Sequence, residues 1–180
     1  MKKNLNYLAM GALCLPLACT TPQEPDWKEQ LKGEIPLMGH RNWIVITDMA
    51  YPLQTQPGIE TIYVDEPYMD ILSFVYEEIE KAPHVRPHIY QDKELSFLSD
   101  QDAKGVDALK EKMNTLMGSK VIALPHEELI GRLDEVSKMF HVIILKSNLT
   151  IPYTSTFFEL DCNYWEDAKQ QLLQKRMENQ

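Results

Sequence analysis

Short β-forming runs alternate with helix-patterned segments along most of this chain, and that alternation narrows the available folds more than any other feature. Trp43-Ile44-Val45-Ile46-Thr47 is a run of β-formers closed by Asp48 and reads as a buried strand. Residues 61–64, 120–124, 142–145 and 155–160 read as further strands, with a short one at His88-Ile89-Tyr90. Between them, Met69, Leu72, Val75 and Ile79 recur every three or four residues behind Pro67, which fits a first helical turn with Asp65 and Glu66 at its positive end. Val106, Leu109, Met113 and Leu116 form a second stripe that stops at Gly118, and Leu129, Leu133, Val136 and Phe140 a third after Pro125. Asn163 followed by Glu166 resembles a capping box, which predicts a C-terminal helix over 163–178. Strands alternating with helices predict an α/β fold, a three-layer sandwich around a mainly parallel sheet. At 180 residues the chain can bury one core and is too short for two ordinary domains.

The first residues read as an address. Lys2 and Lys3 precede a mostly apolar stretch over 5–17, shorter than the roughly 20 residues that a membrane-spanning helix needs. Small Ala18 then stands before Cys19, a secretory pattern whose cysteine suggests lipoprotein processing with Cys19 as the lipidated N-terminus. Pro16 stands where such sites usually carry an aliphatic residue, so ordinary secretion or a retained anchor is the other reading. Residues 1–18 are therefore read as a signal peptide, 19–36 as a lipid-anchor tether and lead-in, and 37–180 as the folded domain. The expected location is exported, periplasmic or outer-membrane-associated, with membrane attachment through the N-terminal lipid only. Beyond Cys14 and Cys19, Cys162 stands alone, which leaves no internal disulfide and no cysteine metal cluster to expect. The net charge is −9, and losing Lys2 and Lys3 with the signal makes it more negative by two. Such a surface repels phosphate backbones, so no nucleic-acid partner is expected.

Four dispersed groups could carry chemistry: Gly39-His40 in a loop, Asp48 at the end of a strand, His126 at the start of a helix, and Pro152-Tyr153-Thr154-Ser155 after the most apolar strand. Each has an ordinary reading as well. A loop histidine is commonly plain surface, a terminal aspartate commonly caps a turn, and Pro125-His126-Glu127-Glu128 is a helix N-terminus with acids suited to its dipole. Asp92, Asp100 and Asp102 lack the glycine and terminal glutamate of an EF-type loop, so no metal is expected.

In this order the groups resemble the ribose pyranase / fucose mutarotase (RbsD/FucU) family, small α/β proteins that interconvert cyclic forms of free sugars. The resemblance covers about 37–158. It implies that His40 transfers protons and that Asp48, His126, Tyr153, Thr154 and Ser155 bind the sugar. Ser155 stands where the family carries Asn, a side chain with more donors and a longer reach. The implied ligand is a free monosaccharide, with no cofactor, and the implied assembly is a homo-oligomeric ring with sites between subunits. Spacing points the same way: eight extended residues span about 26 Å at ~3.3 Å each, so His40 and Asp48 lie at opposite ends of one strand. The rival expectation is a non-catalytic sugar-binding or structural lipoprotein module associated with carbohydrate uptake.

Overall fold

The apolar runs form the centre of a six-stranded sheet in a computed structural model that describes residues 26–179. The signal read in 1–18, Cys19 and the tether to residue 25 lie outside the described residues. The strands are β1 (Trp43–Thr47), β2 (Ile59–Tyr63), β3 (Val85–Asp92), β4 (Val121–Leu124), β5 (Val142–Lys146) and β6 (Thr156–Cys162), ordered β2-β5-β1-β6-β3-β4. β5 pairs in parallel with β1 and β2, and β3 with β4. β6 alone is reversed, antiparallel to both β1 and β3. The mainly parallel sheet expected from the alternation is thus present.

Alternate residues of the central strands feed two cores. Ile44, Ile46, Ile143, Leu145 and Phe158 face α1 (Trp27–Glu34), α2 (Tyr68–Lys81) and α3 (Val106–Met117). Trp43, Val45, Val142, Ile144 and Phe157 face Leu129 and Leu133 of α4 (His126–Val136). Burial on both faces explains why β1 and β5 read as continuous apolar runs without polar alternation. The lead-in contributes too, since Leu31 and Ile35 are buried and Glu66 accepts hydrogen bonds from Trp27 Nε1 and Lys28 Nζ, each at 2.9 Å.

Two local readings change. β3 runs straight through Pro87, which lies opposite Leu160 of β6; β4 pairs only with Ile89–Asp92, so no strand on that side calls for the missing Pro87 N–H. The C-terminal helix, α5 (Asp167–Glu178), starts later than expected, and no capping box forms. Asn163 is instead held to the sheet, its Nδ2 donating to Pro83 O at 3.3 Å and its backbone N–H to His84 O at 3.1 Å.

Gly58 marks the tightest approach of the β2 entry to the end of α4. A Cβ there would sit 2.0 Å from the Ser137 carbonyl oxygen. Gly58→Ala is expected to lower unfolding free energy in urea by about 1–3 kcal/mol, the usual range for overpacking. Gly131→Ala, on an exposed turn of α4 with nothing within 4 Å, is expected to raise it by up to ~1 kcal/mol. Equal effects at the two positions would refute this packing account.

Candidate functional site

Parallel strands deliver their carboxyl ends to one edge of the sheet, where open α/β sheets hold their ligands. Asp48 follows β1 there, Asp92 ends β3, and His126 opens α4 directly after β4. Because β6 is reversed, its entry strap Tyr153-Thr154-Ser155 reaches the same edge, with Thr156 opposite Ile46 and Gln91. Three of the four sequence-predicted groups, Asp48, His126 and the Tyr153 strap, therefore share one edge.

His126 is the best-fixed member. Its Nδ1 lies 3.0 Å from Asp92 Oδ1, and its backbone N–H donates to the Glu94 carboxylate at 3.1 and 3.2 Å. Glu94 thus supplies the cap that Pro125 cannot give to α4. The His126 ring meets Tyr153 edge-on, with ring centres 5.7 Å apart. The Asp92 side chain is fully buried, and its Oδ2 has no hydrogen-bond donor among the described residues. Burial pushes its carboxyl up to about 6; the His126 contact opposes the rise, and the charges of Glu94 and Asp48 add to it. Above that pH the carboxylate accepts the His126 Nδ1 proton, leaving Nε2 as the open ring nitrogen. Behind Asp92 a cleft of about 150 Å³ runs between β3, β4 and α3, with Gln91, Ser96 and Asn114 in its wall.

The strap is held from below. Tyr68, buried on α2, donates its hydroxyl proton to Thr154 O, and Thr156 Oγ1 lies 2.8 Å from the same phenol oxygen. Gln91 Nε2 donates to Thr156 Oγ1 at 3.3 Å. These contacts hold Tyr153 at φ 58, a left-handed conformation that costs a non-glycine residue on the order of 1 kcal/mol. Tyr153 stays 39% exposed, whereas Thr154 and Ser155 are buried and the Thr154 hydroxyl donates to Ile151 O at 3.0 Å. Asp48, nearly buried, accepts the Ala50 N–H at 2.7 Å, so it shapes a turn as well as standing at the edge.

His40 lies at the opposite edge. Its loop precedes β1, and its Nδ1 is 2.8 Å from Asp161 Oδ1 near the far end of β6. Arg86 donates Nε and Nη2 to Asp161 Oδ2 at 3.0 and 2.7 Å, and His88 Nε2 lies 3.5 Å from it. Asp92, Glu94, Tyr68, Asp161 and Arg86 carry no motif. Only the strand-then-acid pattern that marks Asp48 could have marked Asp92, and Pro87 hides that strand.

No protein-family model and no curated protein matches the chain. Among solved structures, Bacillus subtilis RbsD complexed with D-ribose superposes with a TM-score of 0.53 at 17% identity, over 78% of this chain and 98% of that one. Fucose mutarotase from Streptococcus pneumoniae in complex with L-fucose gives 0.49 at 19% identity, over 77% and 92%. FucU from Bifidobacterium longum gives 0.47 at 13%, over 74% and 94%. The six-stranded α/β fold described above is that of RbsD.

The state of Asp92 has a measurable consequence. Its folded pKa is raised from 3.8, so its contribution to stability is full below about 4 and is lost as pH rises through about 6. Asp92→Asn removes that loss. Its unfolding free energy relative to wild type is expected to rise by about 2 kcal/mol between pH 4 and pH 7, at ~1.4 kcal/mol per pKa unit. A pH-independent difference in chemical denaturation would rule out a buried, under-solvated carboxylate.

Proposed function

We propose that the protein interconverts ring or anomeric forms of a free, ribose- or fucose-like monosaccharide. The observation that carries this reading is the convergence of His126, Asp92, Asp48 and Tyr153 on one sheet edge of a fold shared with a ribose-bound protein. Ring opening needs a base to take the anomeric hydroxyl proton as C1=O forms and the C1–ring-oxygen bond breaks. An acid then protonates the ring oxygen, and closing through another hydroxyl or face reverses both steps. Imidazole suits both transfers near neutrality. In this reading His40 is the general acid/base, while Asp48, His126, Tyr153, Thr154 and Ser155 orient the sugar, Thr154 and Ser155 by shaping the strap from within.

His40 and Asp48 flank opposite ends of β1, whose five residues alone span about 17 Å. One pocket therefore takes His40 from one copy and the His126 edge from the next, in a homo-oligomeric ring. The export signal and lipidation at Cys19 belong to the same proposal and would put the activity outside the cytoplasm. A non-catalytic sugar-binding module is the second reading, favoured by the burial of Ser155, which leaves Tyr153 as the outward contact of its triplet.

Saturation-transfer NMR on ribose and fucose is expected to show faster exchange than buffer, with His40→Ala and His126→Ala each reducing it by about 100-fold, the low end for acid/base groups. Mixed oligomers of these two variants are expected to recover activity, because random assembly leaves about a quarter of shared sites intact. No exchange with calorimetric binding would favour the binding module; no recovery on mixing would place the site within one subunit. Fatty-acid labelling of the wild type, lost in Cys19→Ser, is the expected result for the anchor, and equal labelling would refute it.

A further inference from the structure

The edge that carries His40 holds a second arrangement, one that a lone proton-transfer histidine does not require. Asp161 is mostly enclosed, with 18% of its side chain exposed, whereas His40 is 57% exposed. The carboxylate divides its oxygens: Oδ1 faces His40 Nδ1 at 2.8 Å, and Oδ2 takes two hydrogen bonds from the Arg86 guanidinium. A carboxylate has no proton to give, so the His40 contact is a hydrogen bond only when Nδ1 carries the proton. Burial of Asp161 opposes its charge, but the Arg86 hydrogen bonds, the Cys162 backbone N–H and His40 outweigh it and hold the carboxyl down to about 2. It is therefore an acceptor throughout the physiological range.

We propose that Asp161, clamped by Arg86, is a positioning residue for His40: it holds the ring in the Nδ1–H tautomer and turns the lone pair of Nε2 outward to the sugar. The inference rests on the reading of His40 as the acid/base group. When Nε2 takes the anomeric proton, the imidazolium keeps its Nδ1–H on Asp161, whose negative charge offsets the new positive charge. No proton passes to Asp161. Arg86 sets the orientation of the carboxylate, since its two donors fix Oδ2 on the side away from His40.

Asp161→Asn separates this role from a merely structural one. The amide oxygen stays with Arg86, because an amide NH₂ facing a guanidinium would set donor against donor. The Asn nitrogen then faces His40 Nδ1, which must become the acceptor, and the ring proton moves to Nε2. ¹⁵N spectra of the imidazole are expected to show a protonated Nδ1 in the wild type and a protonated Nε2 in Asp161→Asn, with sugar exchange slower by about 100-fold. Arg86→Met in the Asp161→Asn background lets the amide turn its oxygen to His40, and is expected to restore the Nδ1–H signal and part of the rate. A wild-type His40 carrying its neutral-state proton on Nε2 would overturn the inference without any variant. So would an active wild type whose rate is unchanged in folded Asp161→Asn. A wild type that exchanges no sugar overturns the mutarotase reading instead, and the tautomer spectra then report on the pair alone.

Discussion

β6 is hydrogen-bonded to β1 on one side and β3 on the other, running against both, and its two ends place the Tyr153 strap at one sheet edge and Asp161 at the other. Thr156 stands opposite Ile46 and Gln91, so the strap before it emerges among the carboxyl ends of the parallel strands. Five residues later Asp161 stands opposite Arg86, beside the loop that enters β1. A parallel β6 would bring Asp161 to the Asp48 edge and carry Tyr153 away from His126. The reversed strand is held by Phe157 on one core and Phe158 and Leu160 on the other, all fully buried. Slipping the register by one residue would turn those rings to the wrong faces, so packing defends the geometry of both edges.

The two edges keep their acids in opposite states. Asp92 is buried with one oxygen lacking a donor, and its charged form is disfavoured. Asp161 accepts hydrogen bonds on both oxygens, and its charged form is favoured despite partial burial. Each stands on a histidine Nδ1, yet the pairs differ in kind. Asp161 itself stays charged, with Arg86 as its anchor. The Asp92 carboxyl is raised to about 6 by burial, so the charge at that edge changes with pH. Perturbed carboxylates next to imidazoles are common where protons move.

Much of the fold was legible because burial on both faces leaves a strong mark. The run at 43–47 and the run at 142–145 each became a central strand, and the stripe behind Pro67 became α2. The direction of β6 was not legible, since its apolar run reads the same either way along the chain. β3 reads from the sequence as only 88–90, whereas the strand runs Val85–Asp92 through Pro87, which is tolerated because β4 flanks only its second half. The short reading of that strand left Asp92 outside it, weighed only as part of a cation loop. His40, Asp48, His126 and Tyr153 were singled out as candidates through a family pattern, whereas Asp161 and Arg86 could not be. They meet across β3 and β6, 75 residues apart in sequence.

A contact between the two edges of successive copies is heterologous, joining unlike surfaces, and such contacts close into rings when the rotation permits. In the proposed ring, the carboxylates of one edge would favour this contact over one between two carboxyl edges. Asp48, Asp92 and Glu94 gather at the carboxyl edge, whereas Arg86, His40 and His88 gather around Asp161 at the other, where Glu159 lies opposite His88. Two carboxyl edges would set carboxylates against carboxylates, at a cost that grows as water leaves the interface. Unlike edges bring an imidazole whose Nδ1 is already satisfied by Asp161 up to a carboxylate-rich cleft. In the proposed ring, the remaining ring nitrogen would meet a sugar hydroxyl, so the substrate would complete the interface as well as the reaction.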